Sequence, residues 1–303
     1  MKGPSGLSSN CENMKSTIIR IIFLAGLFGY PLPIKAFGFQ AHRIINRQAV
    51  YALPPELLGN FKPHVEELSA RAVEPDKRAH SVPGEAQRHY IDLDIFPEWS
   101  ASQYPRERSL AEKLLGDSVV KSNGVLPWHI HRMSHRLTRA FKQADKSEII
   151  RLAAHLGHYV ADACTPLHTT MHYNGRLEHQ RGIHALWETR LIELFSASYR
   201  YWVAPAAYMP CTLEAAWQLV LESHDLVDSI YAAYDQVYEE KGAHKIYVHD
   251  SRGAAHMRTY SPEFCKAFHK ALNGMTAQQM RRAIQAVRDF WYTAWVNAGQ
   301  PDF

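Results

Sequence analysis

The stretch "AAHLGHYVADACTPLHTTMH", residues 153–172, decides the fold and also carries four histidines. From Ile149 onward, apolar residues recur at the i, i+3, i+4 spacing of a core-facing helical stripe: Ile149, Leu152, Ala153, Leu156, Val160 and Ala163. A second stripe carries His155, His158 and Asp162, and no Lys, Arg or Glu occurs between Leu152 and Met171. That absence predicts that the second stripe also faces an interior. Buried imidazoles and carboxylates need hydrogen bonds, a counter-charge or a metal ion.

Two histidine–carboxylate pairs have the spacing of neighbours on one helix face. His158 and Asp162 are four residues apart, and "HALWE" repeats this spacing at His184 and Glu188. His168 lies between the pairs, just after a proline that ends the first helix. A single pair of this kind is more often a salt bridge. Two pairs with an intervening histidine favour a metal site, because side chains at i and i+4 can converge on one ion.

The rest of the chain is patterned as helices almost throughout. The predicted helices are Ala41 to Leu53, one opened by Pro127, Ile149 to Asp162, Ile183 to Ser198, Leu213 to Glu240 and Thr276 to Ala298. Thr276 and Gln279 have the spacing of a capping box. Only "HYIDLDI", His89 to Ile95, alternates like a strand, and Lys241 to Pro262 is polar, which predicts a long surface loop. With no internal repeat or linker, the pattern predicts a single all-α domain of many helices.

The N-terminus has the features of an export signal. Lys15 and Arg20 precede an apolar run at residues 21–30, followed by "PLP" and a small-residue cleavage site that ends at Ala36. Residues 1–36 are therefore predicted to be a signal peptide, with Met14 as a second candidate start, and residues 37–303 the mature domain. Cleavage would expose Phe37 as the first residue. No later segment has the roughly 18 apolar residues of a membrane span, so we expect an exported protein, periplasmic or secreted.

Charge and cysteine content set further bounds. The full chain has 34 basic and 30 acidic residues, and loss of the leader would leave 30 and 29. Such a near-neutral surface provides no overall field for gathering a polyanion. The mature chain keeps Cys164, Cys211 and Cys265, and a Cys211–Cys265 disulfide with Cys164 free is one arrangement open to an exported protein. His129, His131 and His135 are interleaved with arginines, which predicts a solvated helix face.

These motifs resemble those of a known superfamily, the zinc-dependent phospholipases C and S1/P1 nucleases. That superfamily has a His-xxx-Asp pair, a His six residues on and a later His-xxx-Asp or His-xxx-Glu pair, and this chain has "HYVADACTPLH" and "HALWE". Upstream, Asp76 in "EPDKR" precedes His89 in "HYID" at the superfamily's approximate spacing. Its mature chains begin with an aromatic residue, usually Trp, followed shortly by a His, and here Phe37 and His42 stand in "FGFQAH".

The resemblance implies an all-α, exported phosphodiesterase that holds three zinc ions. It assigns the first zinc to Asp76, His89, His158 and Asp162. It assigns the second to the Phe37 amine and carbonyl, His42 and the bridging Asp162, and the third to His168, His184 and Glu188. Zinc with nitrogen and oxygen ligands activates water, and Asp76 is the candidate catalytic base.

Three functions stay open on the sequence alone. Glu188 as the last ligand favours a phospholipase C, since the nucleases commonly have Asp there. Tyr90 and Asp92 resemble the positions that bind a nucleobase in the nucleases, which keeps a single-strand nuclease as the alternative. A non-catalytic, exported metal-binding helical protein is the third. In either enzyme the partner is a phosphodiester substrate.

Overall fold

The structure is a computed structural model that describes residues 39–95, 100–252 and 255–303. The predicted signal peptide and Phe37 lie outside the described residues. The described residues belong to one compact unit. It is built from helices with a single short hairpin, so the prediction of one all-α domain is confirmed. Within the described part, no helix has the length and apolar character needed to cross a membrane.

Fourteen α-helices and two β-strands follow one another along the described chain, with short 3-10 turns between them. The helices are α1 (Phe39–Tyr51), α2 (Pro55–Phe61), α3 (Val65–Arg71), α4 (Glu74–Arg78), α5 (Arg108–Leu115), α6 (Asp117–Ser122), α7 (Leu126–Lys142), α8 (Lys146–Ala163), α9 (Ile183–Ala185), α10 (Leu191–Phe195), α11 (Thr212–His224), α12 (Val227–Lys241), α13 (Pro262–Ala271) and α14 (Met275–Asn297). A π-helical turn, Leu186–Arg190, joins α9 to α10. The strands β1 (Tyr247–Arg252) and β2 (Ala255–Tyr260) pair antiparallel.

Helix α8 lies at the centre of the main core and packs against α1, α3, α7, α11 and α14. Asp145 caps its N-terminus by accepting a hydrogen bond from the Glu148 amide, 3.1 Å away. Every residue from Leu152 to Ala163 is buried, including the polar stripe, as the sequence predicts. The Trp291 indole of α14 donates to the Ala153 carbonyl at 2.9 Å and ties the two helices together. A second apolar cluster surrounds α12 and α13 and reaches Leu186 and Trp187 of the π-helical turn.

The predicted helix from Leu213 to Glu240 is two helices, because the chain turns after His224. The Ser223 hydroxyl there donates to the Ala163 carbonyl at the end of α8, 2.8 Å away. The predicted capping box of the last helix is also absent. Helix α14 begins after Gly274, whose φ is 82°, and Gln279 instead donates to the Cys164 carbonyl at 3.1 Å. In both places a buried side chain makes a tertiary hydrogen bond to the C-terminal end of α8.

Two irregular segments also differ from their predictions. The predicted loop at Lys241 to Pro262 contains the β1–β2 hairpin, whose outer pair is Tyr247 with Tyr260. The segment 89–95 forms no regular strand and turns at residues 93–95; the amides of Ile91 and Leu93 donate to the carbonyls of His168 and Thr169 at 2.9 and 3.1 Å. Its alternation arises because Ile91 and Leu93 are buried.

The disulfide prediction is wrong. Cys211 and Cys265 are both free thiols, Cys211 exposed and Cys265 buried, and Cys164 is free and buried as well. Burial raises the pKa of the Cys265 thiol to about 11 and that of the Cys164 thiol to about 12. Neither buried thiol is therefore activated as a nucleophile.

Candidate metal centre

One group of donors forms where α4 and the His89 segment meet the C-terminal half of α8. It consists of Asp76, His89, His158 and Asp162 and is called the first donor group. His89 Nδ1 lies 2.9 Å from His158 Nε2 and 3.0 Å from Asp162 Oδ2, and these last two atoms are 3.1 Å apart. Asp76 Oδ1 lies 3.5 Å from both of these imidazole nitrogens. Four donor atoms from three segments thus face one point.

His158 is oriented by the backbone of the segment that follows α3. Its Nδ1 lies 2.8 Å from the carbonyl oxygen of Ala72, which can only accept a hydrogen bond. The proton of neutral His158 therefore sits on Nδ1, and the Nε2 lone pair faces the donor group. Histidines that bind metals usually have their second nitrogen fixed in this way. Burial, the larger effect, and the neighbouring His42 hold the pKa of His158 below its usual value despite the Asp162 carboxylate.

A further group forms around the π-helical turn and is called the third donor group, because its residues are those predicted for the third zinc. It consists of His168, His184 and Glu188. His168 Nε2 lies 2.8 Å from Glu188 Oε1 and 3.1 Å from His184 Nε2. His184 Nε2 and Glu188 Oε1 are 3.0 Å apart. Burial opposes the charge of His168, but the carboxylates of Glu188 and Asp162 outweigh it and raise its pKa to about 9. Burial likewise opposes ionisation of Glu188, and the two imidazoles lower its pKa to about 2.

Asp162 lies between these groups. Its Oδ1 is 3.4 Å from His42 Nε2 of α1 and 3.4 Å from His168 Nδ1, while its Oδ2 faces His89 and His158. The His42 ring also stacks on His158, with the ring centroids 4.0 Å apart. His42 and Asp162 are the part of the predicted second zinc site that lies within the described residues. Burial opposes the charge of Asp162, and the imidazoles around it hold its pKa well below the usual range.

The arrangement fits bound metal ions. Several buried polar atoms of these residues make no hydrogen bond: His42 Nδ1, Asp76 Oδ2, His89 Nε2 and His168 Nδ1. Unpaired buried polar atoms are costly unless a ligand occupies them. A tetrahedral zinc with bonds of about 2.0–2.1 Å separates its ligand atoms by roughly 3.3 Å, close to the 2.8–3.5 Å separations found here. Three sets of these side chains could each hold an ion: His42, His158 and Asp162; Asp76, His89 and His158; and His168, His184 and Glu188.

A fully buried carboxylate that was not predicted from the sequence, that of Glu85, lies beside the first donor group. It accepts a hydrogen bond from the Tyr159 hydroxyl and pairs with Arg78 at 3.2 Å and Arg88 at 2.5 Å. Its Oε1 lies 3.8 Å from His89 Nε2. Burial opposes its charge, but the hydrogen bond from Tyr159 and the Arg78 guanidinium lower its pKa. The spacing of four residues between Glu85 and His89, already used for the other pairs, was the available signal.

The predicted substrate-binding residues lie on the segment that follows His89. Tyr90 is partly buried and its hydroxyl donates to the Ser122 carbonyl at 2.9 Å. Burial and the neighbouring Asp94 raise the pKa of Asp92 to about 7, opposed by the charge of His168. Tyr173, which is half exposed, places its ring 5.4 Å from that of His184. Tyr173 is therefore a substrate-facing candidate that the sequence analysis did not find.

Three other histidines that stood out in the sequence lie outside the donor groups. His155 Nε2 lies 2.7 Å from a carboxylate oxygen of Glu74, so it belongs to the buried surroundings of the site. His172 is exposed on the loop after His168. The prediction of a solvated face for His129 is wrong: it is buried, with its ring edge-on to Tyr159 and its Nδ1 2.8 Å from the Arg132 guanidinium. Burial and that guanidinium lower the pKa of His129 to about 2.

Neither a family model nor a curated protein matches the chain. The solved structures that are similar to it include two clostridial toxins. The alpha toxin from Clostridium absonum has 12% sequence identity and a TM-score of 0.49, with 86% of this chain and 64% of that chain covered. The alpha-toxin of the Clostridium perfringens avian strain SWCP has 14% identity and a TM-score of 0.49, with 86% and 65% covered. The chain thus spans slightly less than two thirds of the length of these toxins.

Proposed function

We propose that this protein is an exported, zinc-dependent phosphodiesterase of the phospholipase C type. The observation that carries the proposal is the convergence of the first and third donor groups on the two oxygens of one buried carboxylate, that of Asp162. A lone ion pair would not need seven further histidine and carboxylate side chains grouped near one aspartate. The sequence resemblance to zinc phosphoesterases supports the same assignment.

Three zinc ions are proposed. Asp76, His89, His158 and Asp162 would hold the first, Phe37, His42 and Asp162 the second, and His168, His184 and Glu188 the third. When bound, zinc in such a site lowers the pKa of water to about 7 and neutralises charge on the phosphate oxygens. Every protein ligand here carries a nitrogen or oxygen donor, as zinc prefers in catalytic sites.

Asp76 is the proposed catalytic base. Its Oδ1 faces His89 and His158, whereas its Oδ2 is buried and makes no hydrogen bond. A carboxylate with one oxygen toward the donor group and one unpaired can accept a proton from an attacking water and keep its position. The site holds a base and charge-stabilising groups, so no covalent nucleophile is required.

The substrate is proposed to be a phospholipid. Glu188, as the last ligand, supports this choice, and Tyr173 with Tyr90 and Asp92 would contact the group that leaves with the phosphate. Export is proposed from the leader at residues 1–36, so the enzyme would act in the periplasm or outside the cell.

The decisive experiment measures hydrolysis of bis(p-nitrophenyl) phosphate by the mature protein, with and without a chelator. We expect turnover that the chelator abolishes and added zinc restores. Asp76→Asn should lower kcat by at least 10²-fold. Asp117→Asn, on an exposed helix where Asp117 pairs with Lys121 at 2.6 Å, is the matched control and should keep full activity. Bound zinc without chelator-sensitive turnover would leave only a metal-binding protein.

A second comparison tests the substrate. We expect the protein to hydrolyse phosphatidylcholine much faster than single-stranded DNA or RNA. Hydrolysis of the nucleic acid alone would replace the phospholipase proposal by that of a single-strand nuclease.

A further inference from the structure

The buried carboxylate of Glu85 has no place in the proposed catalysis, yet its partners all lie next to metal ligands. Arg78 is two residues after Asp76, Arg88 directly precedes His89, and Tyr159 directly follows His158. Through these three partners Glu85 contacts each segment that supplies the first donor group.

His89 itself also points toward Glu85. Its Nδ1 faces Asp76, His158 and Asp162, so its Nε2 faces away from them. That Nε2 is buried, has no hydrogen-bond partner and lies 3.8 Å from Glu85 Oε1. Among the described residues, this carboxylate is the only one within ion-pair distance of His89 Nε2.

We infer that Glu85 is the positioning residue of the first metal site: it orients His89 from behind and holds the three ligand segments together. The inference rests on the proposed metal centre and goes beyond it. With a metal on Nδ1, the proton of His89 must sit on Nε2, where it faces Glu85. A carboxylate in that position fixes the tautomer and strengthens the imidazole as a ligand, and loss of such partners typically costs 10- to 100-fold in metal affinity.

The test compares Glu85→Gln with the parent by zinc titration against a competing chelator. Glutamine keeps the size of the side chain and removes its charge. We expect zinc affinity of the first site to fall 10- to 100-fold, while the third donor group, which Glu85 does not contact, keeps its affinity. Cobalt substitution provides a second readout, since the visible spectrum of cobalt reports the ligand geometry of the altered site.

Glu74→Gln is the matched control. Glu74 also pairs with a side chain of α8, His155, at 2.7 Å, and is also two residues from Asp76, but it contacts no donor atom of the first group. The zinc affinity of the Glu74→Gln variant should match that of the parent. Tyr159→Phe serves as a second variant that keeps the Glu85 charge and removes one of its ties to α8, and it should show a smaller loss at the same site.

The outcomes separate this inference from the proposed function. If the parent binds no zinc, the metal centre itself is wrong. If the parent binds zinc and folded Glu85→Gln binds it equally well, Glu85 has only a structural role and the inference is overturned. If Glu85→Gln does not fold, Tyr159→Phe decides: reduced affinity supports the inference, and parental affinity contradicts it.

Discussion

Glu188 and His168 depend on each other's charge in the metal-free protein. Glu188 has a pKa of about 2, below its ordinary 4.5, so its contribution to stability is present above pH 4.5 and is lost as the pH falls toward 2. His168 has a pKa of about 9, above its ordinary 6.5, so its contribution is present below pH 6.5 and is lost as the pH rises toward 9. The pair therefore stabilises the metal-free protein most between about pH 4.5 and 6.5.

Glu188→Gln should weaken this dependence on pH, because a neutral amide no longer favours the charged form of His168. In the metal-free parent, the free energy of unfolding should fall by on the order of 1–3 kcal/mol between pH 6 and 9. In the variant the fall should be at most half as large. Urea unfolding in the presence of a chelator measures both. Asp117→Asn should behave like the parent, and a parental slope in Glu188→Gln would refute the assigned coupling.

At the residue scale, helical spacing alone predicted the pairs His158–Asp162 and His184–Glu188, whereas the remaining candidate ligands, Asp76, His89 and His42, came from the resemblance to the zinc phosphoesterases. It could not predict the Ala72 carbonyl that orients His158, since backbone groups carry no residue signature. Glu85 was missed because its partners come from three separate segments, and only the fold brings them together.

Close contact between α1 and α8 places α8, and with it His158, relative to the rest of the site. Gly157 faces Asn46 of α1, a fully buried side chain whose amide donates to the Ala154 and Leu68 carbonyls at 3.0 and 3.3 Å. A Cβ at residue 157 would overlap Asn46 Oδ1. The two helices can approach this closely only because residue 157 has no side chain.

Gly157→Ala should therefore destabilise the protein by about 1–3 kcal/mol, the usual cost of overpacking a core. It should also weaken metal binding at the neighbouring His158. Gly59→Ala in α2 is the matched control: a Cβ there meets nothing within 4 Å, and the change should stabilise its helix by about 0.5–1 kcal/mol. Thermal unfolding compares the two, and equal melting temperatures would contradict the packing argument.

At the element scale, apolar periodicity predicted the long helices well, since the spacing of an apolar stripe is a property of the sequence itself. It failed where tertiary contacts decide. The break after His224 and the role of Gln279 depend on hydrogen bonds to the end of α8. The β1–β2 hairpin was read as a loop because its sequence is polar.

At the scale of the whole molecule, the proposed ligands are spread from α1 to the π-helical turn, so the candidate site assembles only when the domain folds. The proposed second zinc adds a further dependence, since it needs a free amine at Phe37. Extra residues before Phe37 should lower the zinc content of the purified protein by about one ion per chain. Phe37→Trp, with the amine still free, should keep the parental content. Elemental analysis measures both, and an unchanged content in the extended protein would exclude chelation by the N-terminus.

The π-helical turn at Leu186–Arg190 has a consequence for how this chain can change in length. A π turn accommodates one residue more than an α turn, because its hydrogen bonds span five residues instead of four. The extra residue reconciles two registers: Glu188 faces His168 and His184, while Leu191 and Ile192 of α10 are buried in the apolar clusters. A chain one residue shorter here would have to give up one register. Deleting one residue from this turn should therefore impair binding of the proposed third ion more than a single substitution in the turn would.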